Sequence, residues 1–314
     1  MRHTYRHGVH SARAPQFAPE IDARGAFVRQ QNAFRNRITA DGSSGYKAES
    51  GRYHLYVSRA CPWAHRSIIV RKLEGLEDVV GLTVVDPIRD QRGWAFRPNP
   101  DPVNGFHFLS EAYLATDPSY QGRYTVPALW DRETNRLVSN DYHTLSTDLA
   151  TQFGGDGPDL YPARLRAEID AINSDIFQYV NNGVYCAGFA TSQEAYEDAF
   201  DGLFGMLDRL EQRLAHRRYL VGKRLTEADI RLFTTLVRFD AVYYLHFKCN
   251  LRRLVDYPNL WAYARDLYQM PGFGETVNWD HIKRHYYLTH DKINPNHIVP
   301  KGPATDWLAP HGRD

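Results

Sequence analysis

Cys61 stands in the stretch "VSRACPWAHR", residues 57–66, with Pro62 and Trp63 behind it and Arg59, His65 and Arg66 close by. The thiolate is the reactive form of cysteine, so a position that favours the anion marks a nucleophile. Proline is favoured at the first position of a helix, which puts Cys61 at the cap, where free N–H groups and partial positive charge stabilise an anion. The neighbouring cations act in the same sense. A small buried hydrophobe is the plain alternative, and the cap position favours the reactive reading. Ala64 stands where a Cys-x-x-Cys pair would place its second cysteine. A mixed disulfide on Cys61 must then be resolved by a thiol from elsewhere, of which a small soluble thiol is the simplest source.

Of the two remaining cysteines, Cys186 adjoins Tyr185 and stands as an internal resolving candidate, whereas Cys249 reads as buried or peripheral. His281 and His285 have the i, i+4 spacing of two metal ligands on one helical face, with His290 as the nearby third. No glutamate occupies the zinc-protease position, so the pair reads as solvated or structural and no metal is expected.

The elements that must position Cys61 follow from local pattern. "RYHLYVS" alternates apolar and polar residues as a half-buried strand does, "PWAHRSIIVRKLEGL" reads as the helix, with Gly75 near its end, and "VVGLTVVD" reads as a second strand. That is a βαβ unit. After an insert rich in Pro, Gly and Asn, "PIRDQRGWAFRPNPDPVNGF", the stretches "YTVPALWD" and "RLVSND" around "RETN" form a hairpin with Val126-Pro127 at its opening. The order β-α-β, insert, β-β-α over 51–152 is that of a thioredoxin-like domain. From about residue 160 apolar residues recur at helical spacing in "ARLRAEIDAINSDIFQYVNN", "SQEAYEDAFDGLFGMLDRLEQRLA" and "TEADIRLFTTLVRFDAVYYLHF". Thr226 to Asp229 is a helix-cap signal.

The expected fold class is therefore α/β plus all-α. Residues 1–50 form an irregular arm, 51–152 a thiol-binding domain, 160–290 a helical substrate-binding domain and 291–314 a tail, with "FGGDGPDLYP" as linker. At 314 residues the chain is long enough for two domains. Its 38 basic and 37 acidic residues leave a net charge of +1, which points to no nucleic acid or membrane partner. No run reaches the ~20 apolar residues of a membrane span, and the first residues show no apolar leader core. Three widely spaced cysteines suit a reducing compartment, so a cytoplasmic protein is expected.

Taken together, "FVRQQNAFRN", "CPWAHR", "GWAF", "YTVPALWD", "NNGVYCAGFAT", "LTEADIRLF", "TLVRFD", "YQMPGFGETVN", "HIKRHYYLTH" and "INPNHIVPKGP" resemble the glutathione transferase superfamily and, within it, the Xi-class glutathionyl-hydroquinone reductases. The resemblance spans nearly the whole chain. It implies a ping-pong reduction in which Cys61 attacks the sulfur of a thiol–hydroquinone thioether, frees the hydroquinone and keeps the thiol as a mixed disulfide that a second thiol resolves. Tyr185 and Tyr286 match the ring-side tyrosines, and Tyr243 is similar in kind as a residue of the quinol pocket. Trp94 would lie over the bound thiol, Arg123 would meet its carboxylate, and Val126, before a proline expected to be cis, would offer its backbone to the thiol's cysteinyl part. The same resemblance suggests a homodimer, with glutathione as cosubstrate.

One departure bears on that thiol. Where the family carries Glu-Ser to hold the γ-glutamyl end of glutathione, this chain has Asp141 and Tyr142. Another low-molecular-weight thiol, such as mycothiol, is then a candidate. A thiol–disulfide or small-oxidant reductase and an aryl-ether thioether lyase are the enzyme alternatives on Cys61, and a binding protein for thiol conjugates is the non-enzyme one.

Overall fold

The computed structural model describes residue 16 and residues 20–313. The arm is less irregular than its composition implies. It carries a short antiparallel hairpin of β1 (Glu20–Ile21) and β2 (Phe27–Val28) and is fastened to both halves of the molecule. The Thr191 N–H donates to the Gly25 carbonyl at 2.9 Å and the Ser192 hydroxyl to the Arg24 carbonyl at 2.6 Å. Farther along, Arg37 pairs with Asp148 at 2.5 Å.

The first half is a four-stranded sheet in the order β4-β3-β5-β6, formed by β3 (Tyr53–Val57), β4 (Gly81–Val84), β5 (Ala128–Asp131) and β6 (Arg136–Ser139). β3 pairs parallel with β4 and antiparallel with β5. The alternation in "RYHLYVS" predicts one wet face, yet all five residues of β3 are buried. A central strand covered on both faces can hold polar side chains only if their polar tips are bonded. Here the Tyr53 hydroxyl donates to the Lys47 carbonyl at 2.7 Å, His54 Nε2 meets Thr83 Oγ1 at 2.7 Å and the Tyr56 hydroxyl donates to Asp101 at 3.0 Å.

Helix α1 (Pro62–Leu73) starts at Pro62 with Cys61 as its cap residue, and Gly75 follows its end in the left-handed conformation at φ +63°. Behind the insert stands a helix that the Pro/Gly-rich stretch before it concealed. In α2 (Leu109–Thr116) the Glu111 carboxylate turns back to accept the N–H groups of His107 and Phe108 at 2.9 and 2.8 Å. Helix α3 (Leu145–Gln152) ends this half, and residues 153–162 lead into the helical one.

That half comprises α4 (Arg166–Asp175), α5 (Gly183–Phe189), α6 (Gln193–Leu214), α7 (Glu227–Arg238), a short α8 (Tyr244–His246), α9 (Pro258–Gln269) and α10 (Trp279–Thr289). Two π-helical turns, Ile176–Asn181 and Phe239–Tyr243, interrupt what the apolar spacing reads as continuous helices. The Thr226–Asp229 cap forms as the sequence predicts, with the Asp229 carboxylate also accepting the Leu220 N–H and the Tyr263 hydroxyl at 2.9 and 2.8 Å.

Helix α7 joins the halves. Its buried Glu227 accepts from Ser146 of α3 at 2.9 Å, from Asn173 of α4 at 2.8 Å and from Arg231 at 2.6 Å. At its other end Arg238, fully buried, donates to the carbonyls of Ala60, Arg59 and Thr234 at 2.9, 3.0 and 2.7 Å. The loop that presents Cys61 is thus held by a side chain from the other half. No helix among the described residues is long and apolar enough to cross a membrane.

Candidate active site

Cys61 opens onto a cleft between the two halves. Of the residues singled out from sequence, Cys61, Trp94, Arg123, Val126, Tyr142, Tyr185 and Tyr286 all line it. Tyr243 lies behind this wall and Asp141 beside it. Tyr243 is fully buried, its hydroxyl 3.0 Å from that of Tyr286. Asp141 is buried and engaged by its own chain, accepting from Asn32 at 2.8 Å, the Thr144 hydroxyl at 3.0 Å and the His143 N–H at 3.1 Å. Asn32 takes the place on the cleft wall.

The Cys61 Sγ donates to the Val126 carbonyl at 3.4 Å, and the Val126–Pro127 peptide is cis. The sequence predicts a lowered thiol pKa at this cap; the structure reverses that for the free protein. Protein packed around the sulfur raises the pKa by desolvation, while the N–H groups of Ala64 and Trp63 and the charges of Arg238 and Arg29 pull it down. His65, expected to help, is neutral. Burial and the Arg238 charge hold it well below the usual histidine range, so Nδ1 accepts from Arg238 at 3.1 Å and Nε2–H donates to Thr276 at 2.7 Å. Arg66 turns away toward Asn181, 2.7 Å distant, with its guanidinium 4.7 Å from the Trp63 ring.

On the helical side three phenols form a chain. The Tyr185 hydroxyl is 2.5 Å from that of Tyr286, which meets Tyr243 in turn. Burial raises the pKa of all three, and at Tyr185 the Cys61 thiolate, when formed, adds to the effect. They are therefore proton donors at neutral pH. Phe247 packs on all three rings at 5.3 to 5.8 Å.

On the opposite side Trp94 stacks on His285 with centroids 4.9 Å apart. The His285 Nδ1–H donates to the Pro87 carbonyl at 2.8 Å, and burial beside Arg89 lowers its pKa to about 3. His285 is thus a neutral aromatic wall, and no group of three or more potential metal ligands forms among the described residues.

Sequence reasoning missed several lining residues, Phe27, Arg29, Gln30 and Asn32 from the arm and Arg89, and it weighed His285 and His290 only as metal ligands or as solvated or structural residues. The stretch "FVRQQNAFRN" contains the first four, but its polar, aperiodic composition carries no sign of where the chain will lie. Tyr142 lines the cleft with its ring tilted 37° against that of Trp63, centroids 4.5 Å apart.

Comparison with known proteins shows the family and agrees with the fold. Residues 193–266 match the family "Glutathione S-transferase, C-terminal domain". The chain is 51% identical over 304 residues to glutathionyl-hydroquinone reductase YqjG of Escherichia coli, covering 92% of this chain and 93% of that one. The glutathione-bound structure of YqjG matches this fold with a TM-score of 0.87, covering 90% of this chain and 96% of that one. Glutathionyl-hydroquinone reductase PcpF of Sphingobium chlorophenolicum is 48% identical over 287 residues, with 89% and 90% coverage. The Xi-class transferase of Natrialba magadii is 45% identical, with a TM-score of 0.90 over 97% of this chain and 98% of that one.

Proposed function

Because this chain belongs to the glutathionyl-hydroquinone reductases, the Xi class of glutathione transferases, we propose that it reduces glutathionyl-hydroquinones at the expense of a second thiol. The Cys61 thiolate attacks the thioether sulfur. A Cys61–thiol mixed disulfide forms, the carbon–sulfur bond breaks, its electron pair passes to the departing hydroquinone, and the ring carbon ends with a hydrogen in place of sulfur. A second thiol then attacks the mixed disulfide, releasing the symmetrical disulfide and restoring Cys61. One thioether and one thiol give one hydroquinone and one disulfide, so the two-electron reduction balances.

The observation that carries this reading is the placing of a lone cysteine and two protonated, hydrogen-bonded phenols on one cleft. An aromatic carbon is a poor leaving group unless it is protonated, and Tyr185, supplied through Tyr286, is the donor at hand. Trp94, Arg123 and the Val126 backbone form the thiol subsite. The Val126 carbonyl, bonded by Cys61 in the free protein, exchanges that bond for the thiol's own amide when the thiol binds.

A second reading concerns the choice of thiol and rests on Tyr142 and Asp141. The wall that would face a γ-glutamyl end is aromatic, and the nearby carboxylate is already bonded three times. These features favour a thiol with an uncharged, hydroxyl-rich end, such as mycothiol, as co-reactant beside glutathione.

The test is release of free hydroquinone from glutathionyl-hydroquinone with excess glutathione. Wild type turns over. Cys61→Ser does not, because an alcohol at the same cap is far less acidic, and the wild type given conjugate alone gains the mass of the thiol on Cys61. Reduction of disulfides without hydroquinone release would favour the thiol–disulfide reductase, and tight conjugate binding without turnover the binding protein.

A further inference from the structure

Arg29 leaves β2 and reaches into the cleft beside Cys61, Tyr185 and Tyr286. Its guanidinium lies 4.7 Å from the Trp63 ring, 4.8 Å from Tyr185 and 5.2 Å from Phe27. Nε donates to Asn182 Oδ1 at 2.6 Å, and the Asn182 amide is itself oriented by donating to Cys186 Sγ at 3.3 Å. A planar cation stacked on rings and pinned at one nitrogen has a fixed direction. Its remaining edge is unusual. Nη2 is buried and has no hydrogen-bond partner, although a buried donor without one is costly and uncommon. The cation lies over the Tyr185 ring, on the phenol side of the cleft, with a donor in reserve, whereas Arg123, on the thiol side, pairs with Glu20 at 3.2 Å.

We propose that Arg29 is a further catalytic residue, whose Nη2 donates to the ring oxygen next to the thioether carbon and holds the negative charge that reaches that oxygen as the carbon–sulfur bond breaks. The inference rests on the reductase reading above. A thiol that has added to a quinone sits on the carbon beside a ring oxygen. When Tyr185 protonates that carbon, the hydroxyl gives up its own proton to the phenol chain and the ring becomes its keto tautomer. Cys61 then attacks the sulfur. The carbon–sulfur pair flows into the ring and emerges on the oxygen as a phenolate, opposite Arg29. The charge lost from Cys61 is thus received by a group already facing a guanidinium, and the phenolate leaves after taking one proton from the chain. A mixed disulfide generates no such charge, because its leaving group is a thiolate.

The test compares Arg29→Met, Arg29→Gln and Arg29→Lys with wild type in two assays. One is hydroquinone release from glutathionyl-hydroquinone; the other is resolution by glutathione of the preformed Cys61 mixed disulfide. Removing one preorganised donor from a developing oxyanion lowers kcat by ~10² to 10³-fold. The expected result is that loss in hydroquinone release for Met and Gln, partial recovery with Lys, and a far smaller change in resolution. Equal losses in both assays would overturn the proposal, since Arg29 would then serve Cys61 or the thiol. A rise in KM with unchanged kcat, or no loss at all, would overturn it as well. Wild type failing to release hydroquinone would sink the reductase reading itself, an outcome distinct from any behaviour of the variants.

Discussion

Tyr185, Tyr286 and Tyr243 are the same residue type in one chain of hydrogen bonds, and their positions separate their effects. Tyr185 lines the cleft and feels the Cys61 charge; Tyr286 also lines it and touches both neighbours; Tyr243 is sealed behind. Replacing a general acid lowers kcat by ~10² to 10⁴-fold. Tyr185→Phe is expected to fall in that range for hydroquinone release, Tyr286→Phe somewhat less, and Tyr243→Phe least, because it leaves the Tyr185–Tyr286 pair intact. Steady-state kcat on one conjugate checks the order, and a Tyr243 variant as damaged as Tyr185 would break it. Residues of this kind differ in how far sequence exposes them. Cys61 announces itself because the proline that starts its helix is next in the chain, whereas Val126-Pro127 reads locally only as the opening of a hairpin and gains its site role through the family resemblance. Arg29 and His285 do not, since what makes them part of the site is a ring or a carbonyl contributed from elsewhere in the chain. Arg238 is hidden in another way: a charge within a helix reads as solvated, yet it is fully buried on backbone carbonyls.

At the scale of elements, the phenols depend on how closely α5 approaches the turn after α8. A Cβ at Gly188 would lie 2.2 Å from Cγ of Phe247 and 2.7 Å from its Cβ, the rigid root of the side chain. Phe247 would have to move, and it packs on Tyr185, Tyr243 and Tyr286. Gly188→Ala is therefore expected to cost about 1–3 kcal/mol of stability, as overpacking does, and to depress hydroquinone release more than mixed-disulfide resolution. Denaturant unfolding together with the two assays reads both effects. An unchanged stability would show that the helices separate freely. The elements themselves were largely legible, because strand alternation and helical spacing are local. α2 was not, for its one strong signal, Glu111 reaching back to two N–H groups, lies behind a Pro/Gly-rich approach. The π-helical turns leave no periodic trace, since one extra residue shifts the apolar stripe without interrupting it.

At the scale of the whole molecule, five histidines among the described residues are buried and neutral: His54, His65, His246, His285 and His290. Burial lowers the pKa of His54 and His246 to about 4 and of His285 to about 3, and holds His65 and His290 well below the ordinary value. At these sites the unfolded chain then binds more protons than the folded one below about pH 6.5, an effect that Glu74, raised by burial to about 7, opposes in part. Stability is accordingly full above that pH and falls as pH drops through it, by up to about 1.4 kcal/mol per pH unit for each histidine. Urea midpoints between pH 7.5 and 5 should descend steeply, with proton uptake on unfolding at pH 5.5; a flat profile would mean that the histidines are charged inside. The cleft likewise belongs to the whole chain, with walls that run from Phe27 to His290. On a ribosome adding about 5–20 residues per second, roughly 10–50 s pass between the emergence of Cys61 and that of His290. Throughout that interval the nascent thiol stands without the wall that will later enclose it. Its first encounters with oxidants and electrophiles come before it has become part of an enzyme.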